Sequence, residues 1–342
     1  MAFEIIETHE LIGVVETFHQ PNTYWLDLCF PTEFRSQSEY IDFDLVDKGR
    51  RLAPFVAPNV QGQPLVQRGE AIRKFRPAYI KPKDAVDPAR LLQRKAGERI
   101  GGDMSPKQRE DAIVADILLE HTNGIWRRWE WMAARAIIDG AVVVQGENYP
   151  RVQVGFGRNA ANTKVLTLGA RWSEATATPL DDLENWMTEM HQRAGFTPTR
   201  VTMGLSAWRA FFKNAAVEKM LDTRRGSANT LETGPGNGRP FQYRGSLTSN
   251  GLEIFTYNDV YEDNTGVLQP FMSPNDIVMT SPAVDGVRAF GAIMDRKAQW
   301  AALPIFPKMY EQEDPSGLFL LTQSAPLMIP KRPDATMRVT VL

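Results

Sequence analysis

Apolar residues recur at three-, four- and seven-residue steps along the most regular part of the chain, residues 105–139. Ser105 followed by Pro106 is typical of a helix start, and Gly140 is typical of the residue just after a helix end. The pattern predicts one helix about 50 Å long at about 1.5 Å per residue. The apolar face comprises Ile113, Ile117, Leu118, Ile125, Trp129, Met132 and Ala136.

Two more helices are predicted further along the chain. Thr178-Pro179 opens one that runs to about Arg193, and Gly195 ends it. Ser206 is predicted to cap a second helix over residues 207–221. Its expected inward residues are Trp208, Phe211, Phe212, Val217 and Leu221.

Short strand-like runs fill much of the remaining sequence between turn residues. They lie at residues 141–144, 151–156 and 199–203, and strands are expected to alternate with turns across 251–288 and 303–342.

Residues 1–50 are rich in apolar and aromatic side chains, but only residues 7–18 have a helical pattern. Pro21 and Pro31 interrupt the rest, which we expect to be extended. So apolar a segment must cover some surface, either on its own domain or on a neighbouring molecule.

Residues 51–90 predict two strands, near 52–60 and 71–80, joined by a turn region with Gly62. The segment is strongly basic, and a long two-stranded ribbon is only marginally stable alone. Two interpretations follow: an ordinary surface hairpin, or a projecting ribbon that lies on an adjacent subunit.

The composition is that of a globular protein with a sizeable core. The chain has 342 residues and a net charge of −2, which argues against a dedicated nucleic-acid-binding protein. A single cysteine, Cys29, allows no intrachain disulfide, so we expect a reducing compartment. The N-terminus does not resemble a secretory signal, and no apolar run is long enough to cross a membrane.

No motif in the sequence predicts a catalytic, metal or cofactor site. Asp42, Asp44 and Asp47 do not continue into an EF-hand loop, so we expect a solvated acidic edge. No Gly-X-Ser-X-Gly elbow or Walker lysine is present. The histidines lie far apart, lack zinc-type spacing, and are expected to be surface or arm residues: His9, His19, His121 and His191.

The most informative segment is Leu221–Ser227, in which adjacent arginines flanked by hydroxyl groups and a carboxylate enter a Gly-rich loop. With residues 231–233 it resembles the major capsid (head) proteins of tailed bacteriophages of the lambda type. Further blocks resemble that family in the same order: residues 55–58, 62, 68–69, 77–83, 86–88, 208–212, 216–219 and 323–328.

The resemblance implies the Hong Kong 97-type phage capsid fold, which is an α+β fold. It implies an N-terminal arm at 1–50, an extended loop at 51–90 and a peripheral domain at 91–177 with the spine helix 105–139. An axial domain would follow at 178–300, and residues 301–342 would return strands to the peripheral domain.

The function implied is a major capsid protein that self-assembles, as hexamers and pentamers, into an icosahedral shell around the genome. Because the sequence begins directly with the arm, we expect a separate scaffolding protein. A portal, a decoration protein and non-specific contact with packaged double-stranded DNA are the other expected partners. The expected location is the virion, and the host cytoplasm during assembly.

Arg224 and Arg225 are suited to bidentate pairing with carboxylates of a neighbouring subunit. The alternative is that they cap the C-terminal end of the helix at 207–221. Lys81 and Lys83 are expected to contact a neighbour's acidic surface. The complete set of interface candidates is Arg68, Tyr79, Lys81, Lys83, Asp222, Arg224, Arg225 and Glu232.

Two other classes of protein stay open on the sequence alone. One is another virion component, such as a portal or tail protein, although the long helical-hairpin pattern of a portal is missing. The other is a prophage-encoded enzyme, although no nucleophile–base or metal constellation supports it.

Overall fold

The computed structural model describes residues 6–21, 23–38, 40–45, 71–86, 105–146, 149–217, 240–247, 251–263, 265–313 and 316–342. The α-helices within these ranges are α1 (Thr8–Thr17), α2 (Trp25–Cys29), α3 (Pro106–Ile138), α4 (Pro179–Ala194) and α5 (Leu205–Lys213).

The strands lie between these helices and after α5. They are β1 (Thr32–Arg35), β2 (Ile41–Leu45), β3 (Ala71–Phe75), β4 (Lys83–Val86), β5 (Ala141–Gly146), β6 (Tyr149–Gly155), β7 (Thr163–Val165), β8 (Arg200–Met203), β9 (Phe241–Leu247), β10 (Leu252–Tyr257), β11 (Val260–Glu262), β12 (Leu268–Pro270), β13 (Asp276–Thr280), β14 (Val287–Phe290), β15 (Phe306–Glu313), β16 (Ser316–Gln323), β17 (Pro326–Ile329) and β18 (Thr336–Thr340). No described helix is long and apolar enough to span a membrane.

The long helix α3 confirms the strongest prediction. Ser105 and Gln108 form a capping box: the Ser105 hydroxyl accepts from the Gln108 amide at 3.3 Å, and the Gln108 side chain accepts from the Ser105 amide at 2.8 Å. The helix ends at Ile138, and Gly140 follows with a φ of 69°. Residues close to each end of α3 therefore determine where the helix begins and ends.

Two groups of side chains pack along α3. Its C-terminal half contributes Trp126, Trp129 and Ile137 to a core shared with α2 and the sheet β1-β14-β17. Its N-terminal half contributes Ile117 and Leu118 to a core shared with α1 and the sheet β15-β16-β4. Trp129 of the expected apolar face is buried, and so is Trp126, while Trp131 packs partly buried against the same core.

A separate core lies on a six-stranded sheet with the order β7-β18-β13-β8-β10-β9. Helices α4 and α5 contribute Leu183, Met190 and Phe211 to it. Two of its strand pairs, β8 with β10 and β7 with β18, are parallel, so they join segments far apart in sequence.

These cores do not coincide with the expected boundaries at residues 178 and 300. Trp172, which precedes the first boundary, packs with Trp186 and Phe211 in the core of the six-stranded sheet. Strand β18 also belongs to this sheet, although the chain after residue 300 was expected to return to the peripheral domain. Conversely, β14 pairs with β17 beside α3.

The helix predicted at 207–221 begins earlier and ends earlier than expected. It starts at Leu205 directly after β8, and its N-cap is Gly204 and not the predicted Ser206; an added Cβ at Gly204 would lie 2.5 Å from the carbonyl oxygen of Ser273. It ends at Lys213 because Asn214 adopts an extended backbone, and the Asn214 side chain accepts from the Ala216 amide at 3.1 Å. That contact starts a new helical turn at residues 215–217.

The expected inward set of this helix is only partly correct. Phe211 and Val217 are buried, whereas Phe212 is exposed and lies against Trp208. Phe212 follows Phe211 by one residue, which rotates its side chain about 100° around the helix. Leu221 lies outside the described residues.

The described part of the apolar N-terminal segment, residues 6–45 apart from 22 and 39, packs mainly on its own chain. Trp25, Leu26 and Phe30 are completely buried in the core at the C-terminal half of α3. Strand β1 pairs in parallel with β14, with Thr32 opposite Val287. Helix α1 matches the helical pattern at 7–18, whereas the short helix α2 was not expected.

A two-stranded ribbon, formed by β2 and β3, joins the N-terminal segment to the basic segment. Strand β3 pairs with β2, with Ile41 opposite Phe75. The predicted run at 71–80 is a strand only to Phe75, and it is followed by a bridge from Ile80 to Ser324. The predicted run at 52–60 and its turn lie outside the described residues.

Candidate functional site

Three of the predicted interface residues lie in the described structure, on the segment that follows β3. This segment, residues 76–86, runs across the edge of β16 and ends as β4. The other five candidates lie outside the described residues: Arg68, Asp222, Arg224, Arg225 and Glu232.

Tyr79 attaches this segment to the loop after β14. Its hydroxyl donates to the Ala292 carbonyl at 2.7 Å and accepts from the Met294 amide at 3.1 Å. Nearby, an added Cβ at Gly291 would lie 2.6 Å from the Pro77 ring, so Gly291 permits this close approach. The phenol of Tyr79 therefore binds within its own chain.

Lys81 and Lys83 are exposed, and both ammonium groups lie over aromatic rings of their own chain. Lys81 Nζ is 4.7 Å from the Tyr79 ring centroid, and Lys83 Nζ is 4.1 Å from that of Phe319 and 5.5 Å from that of Tyr310. These cation–π contacts hold two positive charges at the surface of the segment that runs along β16. Their contact with a neighbouring subunit stays a prediction.

His121 corrects the expectation that every histidine is a surface or arm residue. It is buried on α3, with Nδ1 3.0 Å from the Thr322 hydroxyl and Nε2 2.8 Å from Asp84 Oδ2. It thus joins the helix to β16 and β4. Helical periodicity does place His121 four residues after the buried Ile117, which is the signal that sequence reasoning passed over.

The acidic edge at 42–47 is described only in part. Asp42 is exposed and lies 4.0 Å from Lys74 across the β2–β3 pair. No group of three or more metal-binding side chains occurs among the residues that the structure describes.

A buried carboxylate that the sequence did not single out fixes the N-terminal segment to α3. Glu130 Oε1 accepts from the amides of Tyr24 and Trp25 at 3.1 and 2.9 Å, and Oε2 accepts from the amide of Leu26 at 2.9 Å. Tyr257 donates its hydroxyl to Oε1 at 3.4 Å. Burial raises the pKa of Glu130, and the three amides oppose that rise.

The opposite end of α2 is held by a cation. Arg288 on β14 donates to the carbonyl groups of Phe30 at 2.7 Å and Leu26 at 3.2 Å. A carboxylate at the start and a guanidinium at the end complement the dipole of the helix. Together, Glu130 and Arg288 hold α2 between the long helix and the sheet beside it.

Several large apolar side chains remain exposed in the described structure. The most exposed are Leu168 at 84%, Leu268 at 66%, Val165 at 64% and Trp300 at 63% of their surface. Such surfaces are typical of protein–protein contact. The described residues therefore offer contact surfaces and internal attachments.

The comparisons with known proteins agree with this picture. The chain is 27% identical to the major capsid protein of Enterobacteria phage P21, over 98% of this chain and 99% of that protein. It is 28% identical to the major capsid protein of Escherichia phage lambda, over 97% and 98% of the two chains.

Solved structures show the fold. A crystal structure described as a prophage capsid protein of Escherichia coli CFT073 matches with a TM-score of 0.76 and 22% identity, covering 99% of this chain and all of that chain. The fold is thus the Hong Kong 97-type phage capsid fold with mixed helix and sheet, as expected.

The family model described as phage major capsid protein E matches residues 7–341, nearly the whole chain. The resemblance found in the sequence is therefore confirmed, and so is the role of a structural protein of the phage head and virion. The chain belongs to the phage major capsid protein E family.

Proposed function

We propose that copies of this chain assemble as hexamers and pentamers into the icosahedral shell that encloses the phage genome. The observation that carries this proposal is the match to the capsid family from residue 7 to residue 341. A shell subunit must bury surface in contacts repeated between copies. The exposed apolar side chains away from the cores supply candidate surfaces for such contacts.

In this proposal the parts of the fold have separate roles. Helix α3 is the spine of a peripheral domain, and the ribbon β2–β3 is the base of the extended loop. The six-stranded sheet is the axial domain, which takes in residues 163–177 and β18 as well as the chain after residue 178. The arm at residues 1–50 supports the peripheral core, because its buried residues pack there.

The assembly test uses the purified full-length chain, alone and with the scaffolding protein of its own phage. Sedimentation velocity and negative-stain microscopy should show hexameric rings, pentamers or closed shells. A stable monomer at every salt and protein concentration, with the scaffold supplied, would refute the proposal.

Arg224 and Arg225 are proposed to pair with carboxylates, at least one of them across a subunit boundary. Helix α5 ends at Lys213 and the chain turns helical again at residues 215–217, so the alternative is that the arginines cap the end of this second helical segment. Arg224→Ala combined with Arg225→Ala should leave a folded subunit that assembles poorly. Loss of the cooperative melt with normal residual shells would instead identify an intrachain role.

The accessory partners are also proposals. We expect a separate scaffolding protein, a portal, a possible decoration protein, and assembly in the host cytoplasm. Contact with packaged double-stranded DNA should be independent of sequence and salt-sensitive, because the chain has a net charge of only −2. Sequence-selective duplex binding at physiological salt would contradict this.

We propose no catalytic activity and no cofactor for this chain. The support is the structural role of its family and the absence of a recognised catalytic or metal motif in the sequence. Elemental analysis that finds stoichiometric metal in the purified protein would overturn the cofactor part.

A further inference from the structure

Two exposed apolar surfaces of the described structure carry opposite charge. The first is the acidic hairpin, residues 258–270, which contains three carboxylates and no Lys or Arg. Its exposed aliphatic side chains are Val260, Val267 and Leu268. The second is the basic loop, residues 291–302, which exposes Met294 and Trp300.

The acidic hairpin is held in one conformation by its own polar contacts. Asp263 Oδ1 accepts from the amides of Thr265 at 2.8 Å and Val267 at 3.1 Å, and Gly266 has a φ of 79°. Arg127 on α3 donates to the Val260 carbonyl at 3.0 Å. The hairpin is therefore fixed to the long helix, and its tip presents Val267 and Leu268 outward.

The basic loop is also fixed from within. Asp295 accepts from Lys308 Nζ at 2.8 Å and from the Lys297 amide at 2.8 Å, so its charge is neutralised inside the loop. Ile293 and Ala298 are buried against Phe306. What remains at the surface is the cationic pair Arg296 and Lys297 beside two apolar side chains.

The backbone conformation of the basic loop keeps the Trp300 side chain at the surface. Gln299 and Trp300 both have left-handed φ angles, 51° and 56°, which residues with a Cβ rarely adopt. This conformation coincides with an indole that is 63% exposed and thus gains little from its own chain. A large aromatic side chain that is exposed on a fixed backbone is typical of an anchor residue in a protein interface.

We propose that the acidic hairpin of one copy docks on the basic loop of a second copy of this chain. Val267 and Leu268 would cover Trp300, while Glu262 would face the cationic pair. Two different surfaces of the same chain then meet, which makes the contact heterologous and able to repeat from copy to copy. The inference rests on the proposed shell function and names one contact within it.

Disulfide trapping tests the contact directly. Cys29 is the sole cysteine and is buried, so introduced cysteines report without a background. Leu268→Cys and Trp300→Cys subunits, mixed, assembled at well above tenfold the concentration that the wild type requires and then oxidised, should give covalent dimers, and the double variant should give a ladder of higher species. Leu168→Cys, at another highly exposed leucine, replaces Leu268→Cys in the matched control and should give neither.

The outcomes separate this inference from the proposed function. Shells or capsomers that form without the Leu268–Trp300 crosslink overturn the contact and leave the shell function intact. Equal crosslinking in the Leu168 control also overturns the contact. A wild-type chain that never associates refutes both.

Substitutions without cysteine give a second measurement. Trp300→Ala should raise the protein concentration required for assembly about tenfold or more, as expected for an interface anchor. Glu262→Lys and Lys297→Glu should each weaken assembly, and the double variant should recover part of the loss. Thermal melts establish that each subunit is folded; a double variant no better than the weaker single variant contradicts the pairing.

Discussion

Glu130→Gln offers the most direct test of how the N-terminal segment is held. Glutamine keeps the size of the side chain and one acceptor oxygen, which can still serve the amides of Tyr24 and Trp25. Its other terminal atom becomes an NH₂ donor, which would face the Leu26 amide now bound to Oε2 at 2.9 Å. Two donors then face each other at a site where Glu130 is only 3% exposed.

The magnitude follows from that orphaned amide. A buried donor left without an acceptor costs about 1–3 kcal/mol. The cost of the orphaned amide is the same for both forms of the carboxyl, since each offers an oxygen where glutamine offers a donor; ionisation of the buried carboxyl adds a separate contribution that depends on pH. We therefore expect Glu130→Gln to lower the free energy of unfolding by about 2 kcal/mol.

The assay is chemical unfolding of the unassembled subunit followed by tryptophan fluorescence, because Trp25 and Trp129 lie in the same core as α2. The matched control is Glu120→Gln, at an exposed position of the same helix, which should stay within about 0.5 kcal/mol of the wild type. Equal stabilities for Glu130→Gln, Glu120→Gln and the wild type would refute the proposed role of the carboxylate.

Three further predictions concern the same core and its surroundings. Burial raises the pKa of Glu130 in the folded state, so the stability that its carboxyl contributes is fully present below about pH 4.3 and is lost as the pH rises through the folded pKa. The difference in the free energy of unfolding between the wild type and Glu130→Gln should therefore narrow with rising pH, which unfolding curves at several pH values would show. Gly286→Ala should be strongly destabilising in thermal melts because its Cβ would lie 2.4 Å from the Cys29 carbonyl oxygen and the Phe30 ring, whereas Gly124→Ala, with open space in α3, should stabilise by up to about 1 kcal/mol. Burial raises the pKa of Cys29 to about 12, so a thiol reagent should label it only on unfolding, and rapid labelling of the native chain would contradict its burial.

Much of the helical structure could be read from the sequence because helices are encoded by neighbours. The capping box at Ser105, the apolar repeat of α3 and the glycines at 140 and 195 act within a few residues. The apolar pattern wrongly predicted that the helix continues past Asn214, because the contact of the Asn214 side chain with the Ala216 amide could not be read from that pattern. The family resemblance, which rests on ordered blocks of residues, supplied the fold and function that periodicity alone left open.

Only the tertiary structure decided which distant segments meet. The parallel pairs of β1 with β14 and of β7 with β18 join residues that no local pattern relates. The predicted domain boundaries at 178 and 300 therefore did not anticipate these pairs. In the sequence, nothing distinguishes Glu130 from the other charged residues of the long helix. Only the structure shows that the amides of Tyr24 and Leu26 donate to its carboxylate. Hydrogen-bond partners of this kind are chosen by packing across the whole chain, because burial obliges each polar group to find a partner wherever the fold brings one close.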